Sequence, residues 1–161
     1  FERENSYEWW ASGYSDLKHR QLVYRLGDDD APLAFVDGWG DQESSGRWGL
    51  CPHAVIRISE KILDGKHLIL IYFNEIAKSK TGHIQILLSF KNMNGVVIES
   101  TQVPVVRNII SVDLPDFSGD INLFIYNPYS ITPHQVSGYK SSDLRPLSIF
   151  VTEIEIYKRT N

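Results

Sequence analysis

The fold class this sequence predicts is all-β, an antiparallel β-sandwich. Nine or so apolar runs of strand length recur along the 161 residues, with turn signals between them. Several runs alternate apolar and polar residues, the period of a half-buried strand. No stretch requires a long amphipathic helix, so two packed sheets account for the pattern.

Phe1 to Gln21 mixes Tyr7, Trp9, Trp10 and Tyr14 with Glu, Ser and Asp. Helical spacing would put Trp10 and Tyr14 on one face, but Gly13 weakens a helix there. The stretch reads as a lead-in segment or linker remnant ahead of a sandwich domain over 22–158. Leu22 to Leu26 is a short strand, and Gly27-Asp28-Asp29-Asp30-Ala31-Pro32 is a turn. Its three acids lack the interleaved ligands of a calcium site, so a solvated turn is the reading. Leu33 to Val36 leads into Asp37-Gly38-Trp39-Gly40-Asp41-Gln42-Glu43-Ser44-Ser45-Gly46-Arg47-Trp48-Gly49, which reads as a rigid aromatic loop or strand edge. Ala54 to Ile58 is a strand, and Asp64-Gly65 is a hairpin-type signal. His67 to Asn74 is apolar enough for a central strand, and His83 to Phe90 alternates at its ends. Val96 to Glu99 follows a turn at Asn92-Met93-Asn94-Gly95. Gln102 to Val106 is a separate edge strand, limited by Pro104. Asn108 to Leu114 and Ile121 to Tyr126 follow. A long loop with Pro128, Pro133 and Gly138 then leads to the last strand, Leu147 to Tyr157. Simple alternation there puts Val151, Glu153 and Glu155 on one face, and Thr152, Ile154 and Ile156 on the other.

Composition narrows the function. A formal net charge of −4 disfavours nucleic acid as a partner. The longest apolar run, Leu68 to Phe73, is too short for a membrane span. Cys51 is the one cysteine, so no internal disulfide forms, which fits a reducing compartment. A start at Phe1, without a Met or a signal peptide, reads as a piece of a longer protein or a processed form. No paired Cys or His spacing suggests zinc, and no phosphate-cradling glycine loop enters a helix, so no metal and no cofactor are expected. The five His residues are scattered, and Cys51-Pro52-His53 is the closest approach to a nucleophile beside a base.

Candidate ligand-binding residues follow from side-chain chemistry. Trp39 can stack on a sugar ring, while Glu43 and Arg47, four positions apart, can bind hydroxyls or pair with each other. Trp48, leading into a strand, is the candidate to plug the core. Asp143 and Arg145, two apart, would share a face on a strand. They either join this polar cluster or form a salt bridge that ties the two segments together. Tyr129, with Asn127, His134 and Tyr139, populates the long loop, and a tyrosine on a loop above a sandwich suits sugar contact.

Gly38-Trp39, Glu43 and Gly46-Arg47-Trp48, then the strand Ala54 to Ile58, form one motif. Asn127-Pro128, Pro133, Asp143-Leu144-Arg145-Pro146-Leu147 and the strand Val151 to Tyr157 form a second. In this order they resemble the C-terminal β-sandwich modules of bacterial surface-polysaccharide glycosyltransferases and related envelope enzymes. Those modules are jelly-roll, galactose-binding-like domains similar to carbohydrate-binding modules. Ser148 departs from the glycine common there, and Gly49-Leu50-Cys51-Pro52 departs from a small polar turn. The resemblance implies a non-catalytic module that binds or positions glycan, with Trp39, Glu43, Arg47, Tyr129, Asp143 and Arg145 as its contacts. Its partners would be a glycan or polysaccharide and a neighbouring catalytic domain. It would work in the bacterial cytoplasm or at the inner membrane, or alternatively in the periplasm. The alternative is a structural or interaction domain that docks on a catalytic neighbour or mediates oligomerisation. A third reading, a glycan-active enzyme, would use Asp41 and Glu43 as paired carboxylates.

Overall fold

Alternating apolar residues give ten strands, and a short helix joins them, among the described residues. In order they are β1 (Arg20–Arg25), β2 (Leu33–Asp37), β3 (Arg47–Leu50), β4 (His53–Ile58), β5 (His67–Ile76), β6 (Ile86–Asn92), β7 (Val97–Val103), β8 (Ile109–Asp113), β9 (Ile121–Tyr126), the helix α1 (Pro133–Val136) and β10 (Leu147–Arg159). The computed structural model describes residues 20–25, 32–60, 66–103, 105, 107–136 and 142–159. The aromatic lead-in, the acidic turn at Asp28, Asp29 and Asp30, the Asp64-Gly65 turn, Pro104, Gly138 and Tyr139 lie outside the described residues.

Two five-stranded antiparallel sheets pack face to face. Sheet A runs β1-β10-β5-β8, with β3 also on β10; sheet B runs β2-β4-β9-β6-β7. The set β3-β10-β5-β8 over β4-β9-β6-β7 has the double-sheet order of a jelly roll, with β1 and β2 added at the edges. The inward residues form one core: Ile69, Ile71, Phe73, Ile110, Ile154 and Ile156 from sheet A meet Ile56, Ile58, Leu88, Phe90, Leu123 and Ile125 from sheet B. A smaller buried cluster, Leu68, Leu70 and Ile109 with Tyr72 and Tyr157 against it, occupies the other face of sheet A.

β10 does not alternate simply. Its pairing with β5 shifts between Phe150 and Val151 and again between Val151 and Glu153, so Thr152 bulges. Val151 and Ile154 consequently both enter the core, three positions apart, and Val151 parts from the face of Glu153 and Glu155. Glu155 is 0% exposed on the outer side. Its carboxylate accepts from Tyr72 Oη at 2.6 Å, Tyr157 Oη at 3.2 Å and Arg25 Nη2 at 3.0 Å. These charge-assisted bonds fix β1 to one end of β10, while β3 pairs with the other end.

Three further differences have tertiary causes. β7 is one strand through Ser100 and Thr101 rather than two, because an edge strand needs only its ladder to β6. β6 starts at Ile86, since the segment from His83 folds back into a turn in which His83 N donates to Ser79 Oγ at 2.9 Å. β3 is a strand because the free edge of β10 templates it, although its glycine-rich composition disfavours one.

Candidate functional site

Residues 38–50 form a hairpin that carries the chain from sheet B to sheet A. Leu50 N donates to Gly38 O at 2.7 Å, Gly40 N to Trp48 O at 2.8 Å, and Trp39 bridges Gly49. At the tip, Glu43 N donates to Gly46 O at 2.9 Å, and the Gln42 amide donates to the same oxygen at 3.0 Å. Gly38 has φ +75°, and a Cβ on it would overlap the His53 carbonyl oxygen. Only glycine meets both conditions.

The side chains of this hairpin serve its own architecture. The half-buried Trp39 packs against the core edge-on to Phe35, with ring centroids 4.6 Å apart, and its indole N–H donates to Val55 O at 2.8 Å. Arg47 donates from Nε to Gly40 O at 2.7 Å and lays its guanidinium 4.9 Å over Phe35, so it forms no bidentate pair with Glu43. Trp48 is not the core plug: it lies on the outer face of sheet A, edge-on to Phe150, because Gly49 holds the inward position beside Ala54 and Ile149. Asp143 and Arg145 sit in the segment before β10 rather than on a strand. They bind each other at 2.7 Å, and Arg145 Nε and N also donate to the same carboxylate. The Arg145 guanidinium reaches Gly40, and Asp41 and Glu43 act on it electrostatically. Five of the six predicted residues therefore gather at one corner. Tyr129 stands apart, with its ring edge-on to His83 at 6.3 Å.

Asn127, 0% exposed, locks the neighbouring strand ends. Its amide donates to Ala77 O at 3.2 Å and accepts from Tyr129 N at 3.0 Å, while its backbone binds Pro52 O and the Cys51 thiol. Burial pushes the Cys51 thiol up, which disfavours the thiolate a nucleophile needs. Among the described residues no group of three or more His, Cys, Asp or Glu side chains is placed to hold a metal ion. A cleft of about 310 Å³, lined by Lys66, His67, Glu99, Asp113 and Asp116, opens at the end of β5 and β8. It mixes both charge signs and has no aromatic wall.

A second constellation lies on the outer face of sheet B. β9 alternates strictly, with Ile121, Leu123 and Ile125 inward and Asn122, Phe124 and Tyr126 outward and half-exposed. Its neighbours align with it in three rows: His53, Tyr126 and Leu87; Val55, Phe124 and Ser89; Arg57, Asn122 and Lys91. Phe124 and Tyr126 stack at 5.9 Å, with His53 against both rings. Lys91 Nζ lies 4.2 Å over Phe124 and donates to Tyr126 Oη at 3.0 Å. Arg57 Nε donates to Asn122 Oδ1 at 3.1 Å. Flat rings, an amide and two cations on a rigid sheet can stack a planar or apolar ligand face and bind its polar edge. The sequence reading missed this face. The signal was present in β9, whose non-core positions carry an amide and two aromatics where plain solvation needs only polar residues.

No family model matches the chain, and no curated protein matches it. Among solved structures it is similar to the crystal structure of dimeric latent PorU from Porphyromonas gingivalis, at 13% identity and a TM-score of 0.39. That similarity covers 86% of this chain and 12% of that one, so the chain spans a small part of that protein's length. A likeness of that degree carries no argument about activity.

Two outcomes follow from the corner. Gly38→Ala should lower unfolding stability in urea by more than about 2 kcal/mol, since it combines overlap with backbone strain. Gly95→Ala, at φ +82° in open space, should cost only the left-handed strain, about 1 kcal/mol; equal losses would mean that the His53 contact is unimportant. Hydrogen bonds from the Arg145 side chain, then from its backbone, hold the Asp143 carboxyl below the ordinary aspartate value of 3.8. The lowered group contributes stability fully above that value and loses it as pH falls through the lower folded one. NMR titration of the Asp143 carboxyl carbon should give a midpoint under 3.8 that Arg145→Ala moves up toward 3.8 but not fully to it, because the backbone N–H of residue 145 still donates to the carboxylate.

Proposed function

We propose that this chain is a non-catalytic carbohydrate-binding module that holds or positions glycan, with its binding surface on the outer face of sheet B. The observation that carries the reading is the half-exposed set His53, Asn122, Phe124 and Tyr126 on a rigid sheet, flanked by Arg57 and Lys91. Aromatic rings present an apolar face to the C–H side of a sugar, and the amide and cations meet its hydroxyls. Trp39, Arg47, Asp143 and Arg145 direct their polar groups to their own chain, which supports a structural role for the corner. Glu43 stays exposed at the hairpin tip, and Tyr129 borders the loop after β9. Attachment to a bacterial surface-polysaccharide glycosyltransferase rests on the resemblance of the two motifs.

One observation favours a second reading, docking on a neighbouring domain or self-association. β7 is the outer edge of sheet B, and Val97 and Ile98 on it, with Val96 just before it, are 53%, 40% and 59% exposed. An edge strand with apolar side chains is a template for another strand.

Calorimetric titration with bacterial surface oligosaccharides, run beside sedimentation velocity, separates the two readings. Glycan binding should weaken about tenfold or more in Phe124→Ala and Asn122→Ala, and stay unchanged in Glu43→Gln. Concentration-dependent association abolished by Val97→Lys, with no glycan binding, would favour docking instead.

A further inference from the structure

The charge on the proposed face carries the reading further. Among the described outward residues of sheet B, Arg57 and Lys91 are the fixed cations and Asp37 is the one acid. Asp37 leans toward His53, with Oδ2 3.9 Å from Nε2. Neither Arg57 nor Lys91 forms an ion pair with any described residue; Arg57 is oriented by an amide oxygen, and Lys91 by a phenol and a ring. The two flank Asn122 in one row, their Cα atoms about 10 Å apart across three strands. That row lies about 7 Å along the strands from Phe124. The Lys91 ammonium is carried back over the Phe124 ring onto Tyr126 Oη, while the Arg57 guanidinium stays beside Asn122, so a sugar ring beside Phe124 and Tyr126 would bring an exocyclic carboxylate between the ammonium and the guanidinium.

Resting on the glycan-binding reading, we infer that the ligand is an acidic saccharide, one whose ring bears a carboxylate. The carboxylate accepts from the terminal N–H groups of the Arg57 guanidinium, whose Nε is held by Asn122, and from the Lys91 ammonium. A neutral sugar would cover the two cations without a counter-charge, which penalises it. A nucleic acid offers the same sign of charge, but the chain's net charge of −4 opposes a long polyanion that extends past this small patch.

The test is binding of the full 161-residue chain to a panel of oligosaccharides containing glucuronate, galacturonate or mannuronate. The same oligosaccharides after reduction of their carboxyls to alcohols, and a single-stranded oligothymidylate, serve as comparisons. At least one acidic member should bind, about tenfold more tightly than its reduced counterpart, and binding should fall at about 0.5 M salt. Arg57→Gln and Lys91→Gln, which remove charge and keep bulk, should each weaken it about tenfold, and Lys91→Arg should retain it. Equal binding of acidic and reduced members would overturn the acidic class and leave the glycan-binding reading standing. Failure of every saccharide to bind would overturn both. Uronate binding unchanged in both Gln variants, or oligothymidylate bound as tightly, would also overturn the inference.

Discussion

The corner at Trp39 is the constraint from which the rest of the sandwich follows. β2 belongs to sheet B and β3 to sheet A, so the chain must change sheets within the hairpin between them. Trp39 makes this crossing rigid, because its backbone bridges Gly49 while its indole N–H reaches the Val55 carbonyl on β4. A large apolar body filling the gap between sheets, with its one donor satisfied, is stable where a small residue would leave a void. With β3 held there, one end of β10 is occupied and the other remains for β1. The return through Cys51 and Pro52 then sets the register of β4 on β9, and with it the placement of His53, Val55 and Arg57 beside Asn122, Phe124 and Tyr126.

Polar side chains divide into two groups on this scaffold. Those at the corner and the strand ends bind their own chain. Arg47 takes a carbonyl, Asn127 ties the end of β9 to Ala77 and Tyr129, and Asp143 is closed by Arg145. Glu155 belongs with them, since a fully buried carboxylate is tolerable only with the donors that Arg25, Tyr72 and Tyr157 supply. The side chains on the outer face of sheet B differ. Their rings are half open to solvent, and their cations face amide, phenol and ring rather than acid. The first group makes the molecule rigid, and the second is what rigidity presents to a ligand.

Reading these groups from sequence fails in instructive ways. Trp39, Arg47, Asp143 and Arg145 have the right residue types for sugar contact, and their gathering at one corner was foreseeable from the two motifs. Their hydrogen-bond partners were not, because carbonyls such as those of Gly40 and Val55 have no residue type that marks them. Trp48 misleads through local context. A Trp entering a strand usually packs inward, but the glycine after it takes the inward position, so strand parity turns the indole outward. β10 misleads at Val151 alone: the bulge at Thr152 moves it to the core face, while Glu153 and Glu155 stay opposite Ile154 and Ile156 as counting assigns them.

The sequence by itself determined the all-β class, most strand positions and the alternation of β9, because period-two burial is written in consecutive residues. It also determined that Asp143 and Arg145 are near enough to pair, and that Cys51 has no disulfide partner in the chain. Only the tertiary structure decided that β3 is a strand, that Val151 and Ile154 share the core, and that Arg57, Asn122 and Lys91 stand in one row. Those outcomes depend on register between segments as far apart as β4 and β9, or β3 and β10. Register is set by packing and by backbone hydrogen bonds that every residue type can make, so local residue identity does not encode it.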